Sequence, residues 1–240
     1  MTDATTTNAK SDAWRAGAIW TVGLLALPPV LTIIVFRVGA AAGVSFAPLQ
    51  PIVAGFLVYG MAAALAAVVL WLWARERDLV RTIFDFKPLA GPDSLVVLAG
   101  LLAGLFVLYP ASQWIARLLV GMEMGGASYG RETPFAIPIM AISAVVIAPF
   151  CEEVLFRGLG VAYLKQLRWP EPAVWLTVTL AFAAIHLPNF GLAGSVFMVL
   201  WGGMVTAIRQ WRGSLTPGLI VHFLNNAAAY LVFPLLAPAG

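Results

Sequence analysis

Apolar runs long enough to cross a bilayer recur along the whole chain. They fall at roughly 17–36, 51–74, 94–120, 136–164, 172–188, 192–208 and 215–236. About 20 apolar residues carry a helix across the hydrocarbon core. There the peptide groups must find their hydrogen bonds inside the chain, because lipid offers none. The pattern predicts an all-α fold: a polytopic transmembrane helix bundle of about seven membrane spans. The fifth and sixth runs are short, and a re-entrant pair there would reduce the count to five. Composition agrees with a bilayer, since 61% of residues are hydrophobic and 10% charged, against about a quarter charged in soluble domains. A net charge of +3 is no signal for a nucleic-acid partner. The single cysteine, Cys151, excludes an internal disulfide and a cysteine-rich metal site.

The basic residues orient the bundle. If the N-terminus is cytoplasmic, only Arg37, Arg117 and Arg131 of the 14 Lys and Arg fall on the outer side. Positive charge concentrates in cytoplasmic segments, so the sequence predicts a multi-pass protein of the cell membrane, N-terminus cytoplasmic and C-terminus outside. Its division is expected to be a disordered cytoplasmic tail over 1–16, N-terminal transmembrane helices over 17–130, and a second transmembrane core over 131–236.

Against this apolar background, PFCEEVLFRG (149–158) puts three ionisable groups inside the fourth run. Intramembrane acids are rare and usually functional. On a helix Glu153 and Arg157 share a face, acid before base, and can neutralise each other's burial. Glu152 points about 100° away and has no local cation. Pro149, just upstream, removes a backbone hydrogen bond and opens the helix beside it. Cys151 also faces away from Glu152 and reads as a packing residue.

The chain has two histidines, and both lie in apolar runs. His186 follows Phe182 by one turn, so the ring can pack on the imidazole. His222 precedes Asn225 and Asn226 by three and four residues, and either amide can share its face. Polar groups buried in hydrocarbon need partners, and the two imidazoles and Glu152 are each other's best candidates.

One free carboxylate, two imidazoles and an amide make a hydrolytic set. The carboxylate can act as general base on a water. One imidazole can orient that water or protonate the leaving amine. The other, with an amide N–H, can stabilise an oxyanion. Glu152, His186 and His222 are also a ligand set for a divalent metal such as zinc, although no HExxH is present and the three come from three different runs. The residue types leave both chemistries open.

Glu152-Glu153-x-x-x-Arg157, Phe182-x-x-x-His186 and His222-x-x-x-Asn226, in this order, resemble the signature of the CPBP family. That family contains the type II CAAX-processing prenyl endopeptidases and bacterial relatives tied to bacteriocin processing or immunity. The stretch GSLTPGLIVHFLNN (213–226) is similar to the family's third-motif region. The likeness covers roughly 135–235. It implies an intramembrane endopeptidase that cleaves a membrane-associated protein or peptide, with membrane lipid as its other partner. Glu152 would activate water, with His186 helping to hold it. Glu153 and Arg157 would be a structural pair, and His222 with Asn226 the oxyanion side. Two other functions fit the same residues: a proteolytically silent scaffold or bacteriocin-immunity protein, and a proton-coupled transporter. The catalytic reading sets one geometric condition. Drawn as straight spans, His186 lies roughly 9 Å from the middle of its own helix, so that helix must tilt or sit deeper for His186 to reach Glu152.

Overall fold

The computed structural model describes residues 77–122 and 141–233, together with 38–39, 41–43, 65 and 138. The expected tail over 1–16, the first span and nearly all of the second lie outside the described residues. Among the described residues every element is helical and there is no strand.

Helix α1 is Arg77–Ile83 and α2 is Gly91–Ala103. A π-helical turn, Gly104–Leu108, joins α2 to α3, Tyr109–Val120. The combined rod, Gly91–Val120, is one of two described helices long and apolar enough to cross a membrane. Its outer face presents Leu95, Leu98, Leu102, Phe106, Trp114 and Leu119, which suits lipid rather than water.

The next rod runs without a break through a π-helical stretch Ala141–Ile147, α4 (Ala148–Glu152), a second π-helical stretch Glu153–Gly160, and α5 (Val161–Gln166). Pro149 stands where the first π-helical stretch gives way to α4. Its missing N–H is absorbed by that irregularity. Three charges in the middle of this rod separate it from an ordinary lipid-facing span.

Helix α6, Glu171–Arg212, is in fact two helices meeting at Gly191, whose φ of 63° and ψ of −173° no helix contains. Gly191 lies between the fifth and sixth runs. The second half, Phe190–Arg212, is the other helix long enough to cross, while Glu171–Leu187 is shorter. Helix α7, Thr216–Ala227, starts with Pro217 in its first turn, where no N–H is needed.

α3 packs along α6, and α7 packs against both α2 and α6. The core between them holds Phe156, Val174, Val178, Phe182, Trp201, Val205 and Val221. The segment after α1 is tied across the turn from α6 to α7. The Asp85 carbonyl accepts from the Leu215 N–H at 3.0 Å, and the Thr216 hydroxyl donates to the Lys87 carbonyl at 2.7 Å. Arg209 pairs with the Asp85 carboxylate at 3.2 Å and donates to the Arg157 carbonyl at 3.2 Å. That last bond joins this tie to the charged rod.

Candidate active site

The site is built outward from a buried ion pair. Glu153 and Arg157 are fully enclosed, with Arg157 Nη1 donating to Glu153 Oε1 at 3.2 Å. A guanidinium in the interior needs its other donors answered as well. Arg157 Nη2 donates to the Gly202 carbonyl at 3.0 Å, and Nε to the Thr206 hydroxyl at 3.2 Å. The Thr206 hydroxyl in turn donates to the Gly202 carbonyl at 2.8 Å. The Phe182 ring lies under the guanidinium, 4.2 Å from Cζ to the ring centre. A Cβ at position 202 would fall 2.8 Å from Phe182 Cδ1, so this close approach requires glycine.

Glu153 has a second task that its spacing to Arg157 does not announce. The same Oε1 accepts from His222 Nδ1 at 2.9 Å. A carboxylate accepts, so Nδ1 carries the hydrogen and Nε2 of the neutral ring is left as a lone pair. His186 has the same arrangement through a different partner. Its Nδ1 donates to the Phe182 carbonyl at 2.8 Å, which again leaves Nε2 as the free nitrogen.

Both free nitrogens face Glu152. His222 Nε2 is 3.7 Å from Glu152 Oε2, and His186 Nε2 is 3.9 Å from the same oxygen. These distances are too long for hydrogen bonds and short enough for one small molecule to touch all three groups. His186 comes within 3.9 Å of Glu152, and its helix ends at the break at Gly191.

Aromatic rings hold the imidazoles. Phe182 lies 4.5 Å from the His186 ring and 6.2 Å from that of His222. Trp201 meets the His222 ring edge-on at 4.4 Å. The stacking of Phe182 on His186 is legible from their spacing. The contacts of Phe182 with Arg157 and His222 are not, nor is Trp201. The adjacent glycines 202 and 203 in an otherwise bulky helix are the one sequence signal that something must pass close by.

The two asparagines diverge. Asn226 Nδ2 donates to the Ala144 carbonyl at 2.8 Å, on the stretch leading to Glu152. Among the described residues its other N–H makes no hydrogen bond. Asn225 faces the other way, its Oδ1 lying 3.4 Å from the position a Cβ would take at Gly104.

By donor type, Glu152, His186 and His222 suit zinc. Their separations from Glu152 Oε2, 3.7 and 3.9 Å, are a few tenths of an ångström wider than the spacing of about 3.4 Å between ideal tetrahedral zinc ligands at about 2.0–2.1 Å. Among the described residues no group of three or more His, Cys, Asp or Glu side chains is arranged to hold a metal ion.

Residues 134–228 match the family model described as type II CAAX prenyl endopeptidase Rce1-like. The matched segment contains the charged rod, both histidines and both asparagines. No curated protein matches the chain, and no solved structure does.

Proposed function

From the match of residues 134–228 to the type II CAAX prenyl endopeptidase Rce1-like family, a family of proteases, we propose that this chain is an intramembrane endopeptidase. Its reaction is hydrolysis of a peptide bond in a membrane-associated protein or peptide by a water that Glu152 activates. The observation that carries the reading is the convergence of His186 Nε2 and His222 Nε2 on Glu152 Oε2, at 3.9 and 3.7 Å.

A water seated between the three groups gives its proton to the Glu152 carboxylate and attacks the scissile carbonyl carbon. His186 Nε2 accepts a hydrogen bond from the water's other O–H, which the oxygen keeps, and so fixes the direction of its lone pair. The negative charge then grows on the carbonyl oxygen. Asn226 offers its remaining N–H to that oxygen. His222 can assist only once Nε2 has taken up a proton, and the nearest one is that on Glu152. Glu153, bound at Nδ1, stabilises the resulting imidazolium. His222 in that state can donate to the oxyanion and then to the leaving amine. The protein crosses the membrane several times, with its N-terminus in the cytoplasm and its C-terminus outside, and the site is approached from the cytoplasmic side.

The test is cleavage of a reconstituted peptide library by wild type and by Glu152→Gln, each with and without a strong zinc chelator. The expected outcome is cleavage by wild type that the chelator leaves unchanged and that the variant lowers at least about 10²–10⁴-fold. Loss on chelation in the wild type would replace the water mechanism with a metal one. Undiminished cleavage by Glu152→Gln would end the assignment of Glu152.

A further inference from the structure

The neighbourhood of His186 contains a device that the reaction above does not use. The helix bearing His186 stops at Gly191 with φ 63°, a conformation that L side chains rarely adopt. Just past the break the Ser195 hydroxyl donates to the Gly191 carbonyl at 2.8 Å. Just before it, Phe190 turns back onto the chain. A Cβ at Gly194 would collide with the Phe190 Cβ, so glycine there makes room for it. The Phe190 ring lies nearly parallel to the His186 imidazole, 23° apart and 5.8 Å between centres. Phe182 covers His186 from the preceding turn and is itself buried. Phe190 is different, since 38% of it remains exposed. One glycine conformation and one missing Cβ therefore accompany an aromatic ring beside the candidate water-holding histidine, on a residue that stays partly exposed.

We infer that Phe190 is a specificity-determining residue, contacting an apolar or aromatic side chain of the substrate next to the scissile bond. The inference rests on the proposed peptidase reaction at Glu152 and His186. For attack, the scissile carbonyl carbon must come to about 3–3.5 Å from the water that His186 holds. The side chain on the adjoining Cα, two bonds from that carbonyl, can then extend toward the ring beside the same imidazole. The exposed part of the ring is apolar and offers no hydrogen bond, so it rewards apolar surface and leaves a polar side chain unanswered. Position 190 thus distinguishes substrates by the residue flanking the bond.

The experiment uses the full chain in detergent and a peptide library randomised at four positions on each side of the cleaved bond, with products read by mass spectrometry. Wild type, Phe190→Ala, Phe190→Leu and Glu152→Gln are compared, and folding of each is checked by circular dichroism and thermal melting. The expected result is a selective change. Phe190→Ala loses about tenfold or more in kcat/KM on peptides with a large apolar or aromatic residue at one flanking position, relative to those with alanine there. Phe190→Leu keeps the preference for aliphatic residues and loses that for aromatic ones. If Phe190→Ala does not fold, Phe190→Leu carries the test. An equal loss on every peptide would make Phe190 a mere support for His186 and would overturn the inference, as would an unchanged preference. If that happens while Glu152→Gln is inactive, the peptidase reading stands and only this inference falls. Active Glu152→Gln, or a wild type that cleaves no peptide in the library, overturns both.

Discussion

At the scale of single residues, Glu153 links the charged interior to the imidazoles. One of its oxygens accepts from both Arg157 and His222, while Oε2 is buried and bonded to nothing among the described residues. Replacing Glu153 by alanine strands a guanidinium that is 0% exposed and frees the His222 ring to turn. Breaking a buried pair from one side costs about 3–5 kcal/mol, whereas removing both partners together costs far less than the two separate losses would suggest. Thermal unfolding in detergent should therefore show Glu153→Ala well below wild type, with the Glu153→Leu, Arg157→Met double variant recovering much of the difference. A double variant as unstable as the sum of its parts would deny that the two side chains act as a pair. The pairing of Glu153 with Arg157 was legible because both sit on one helix, four residues apart. The bond from His222 was not, since it spans 69 positions and no local period connects them.

At the scale of elements, the second half of α6 sets the site by coming very close to the first half and to the charged rod. Gly202 makes this approach, and its missing Cβ leaves room for the Phe182 ring and for Arg157 Nη2, the latter 3.4 Å from the Cβ position. Gly202→Ala should push Phe182 out of contact with one or both imidazoles. The expected cost is about 1–3 kcal/mol of stability, together with a fall in kcat larger than any change in KM, because Phe182 backs the reacting groups rather than the substrate. Steady-state kinetics beside a melting curve would separate the two effects, and wild-type values in both would show that α6 yields without moving the ring. The sequence marks the ends of these elements well, as in PNFG before the break and TPG at the start of α7. It says nothing of the π-helical stretches around Glu152, whose wider turns come from how the rod is packed and not from a residue preference.

At the scale of the whole molecule, the proposed orientation rests on the distribution of Lys and Arg and the proposed bilayer on the apolar runs. If the proposed orientation holds, a reporter fused to the C-terminus that works only outside the cytoplasm should be active, and one fused to the N-terminus should be silent. The reverse pattern would invert the bundle and move the approach to Glu152 to the other face. The sequence alone determined that this chain is helical and suited to hydrocarbon, because lipid leaves a backbone no partner but itself and that rule can be read from the length of each apolar run. It also determined which side chains have no business in lipid unless something holds them there. Only the tertiary structure decided how they are held. It set Nε2 of both histidines toward Glu152, gave Glu153 to His222 as well as to Arg157, and turned Asn226 toward Ala144 and Asn225 toward Gly104. Helical periodicity fixes the face on which a residue lies, whereas its partner across the bundle depends on the tilt, depth and contact of separate helices, which are properties of the packed whole.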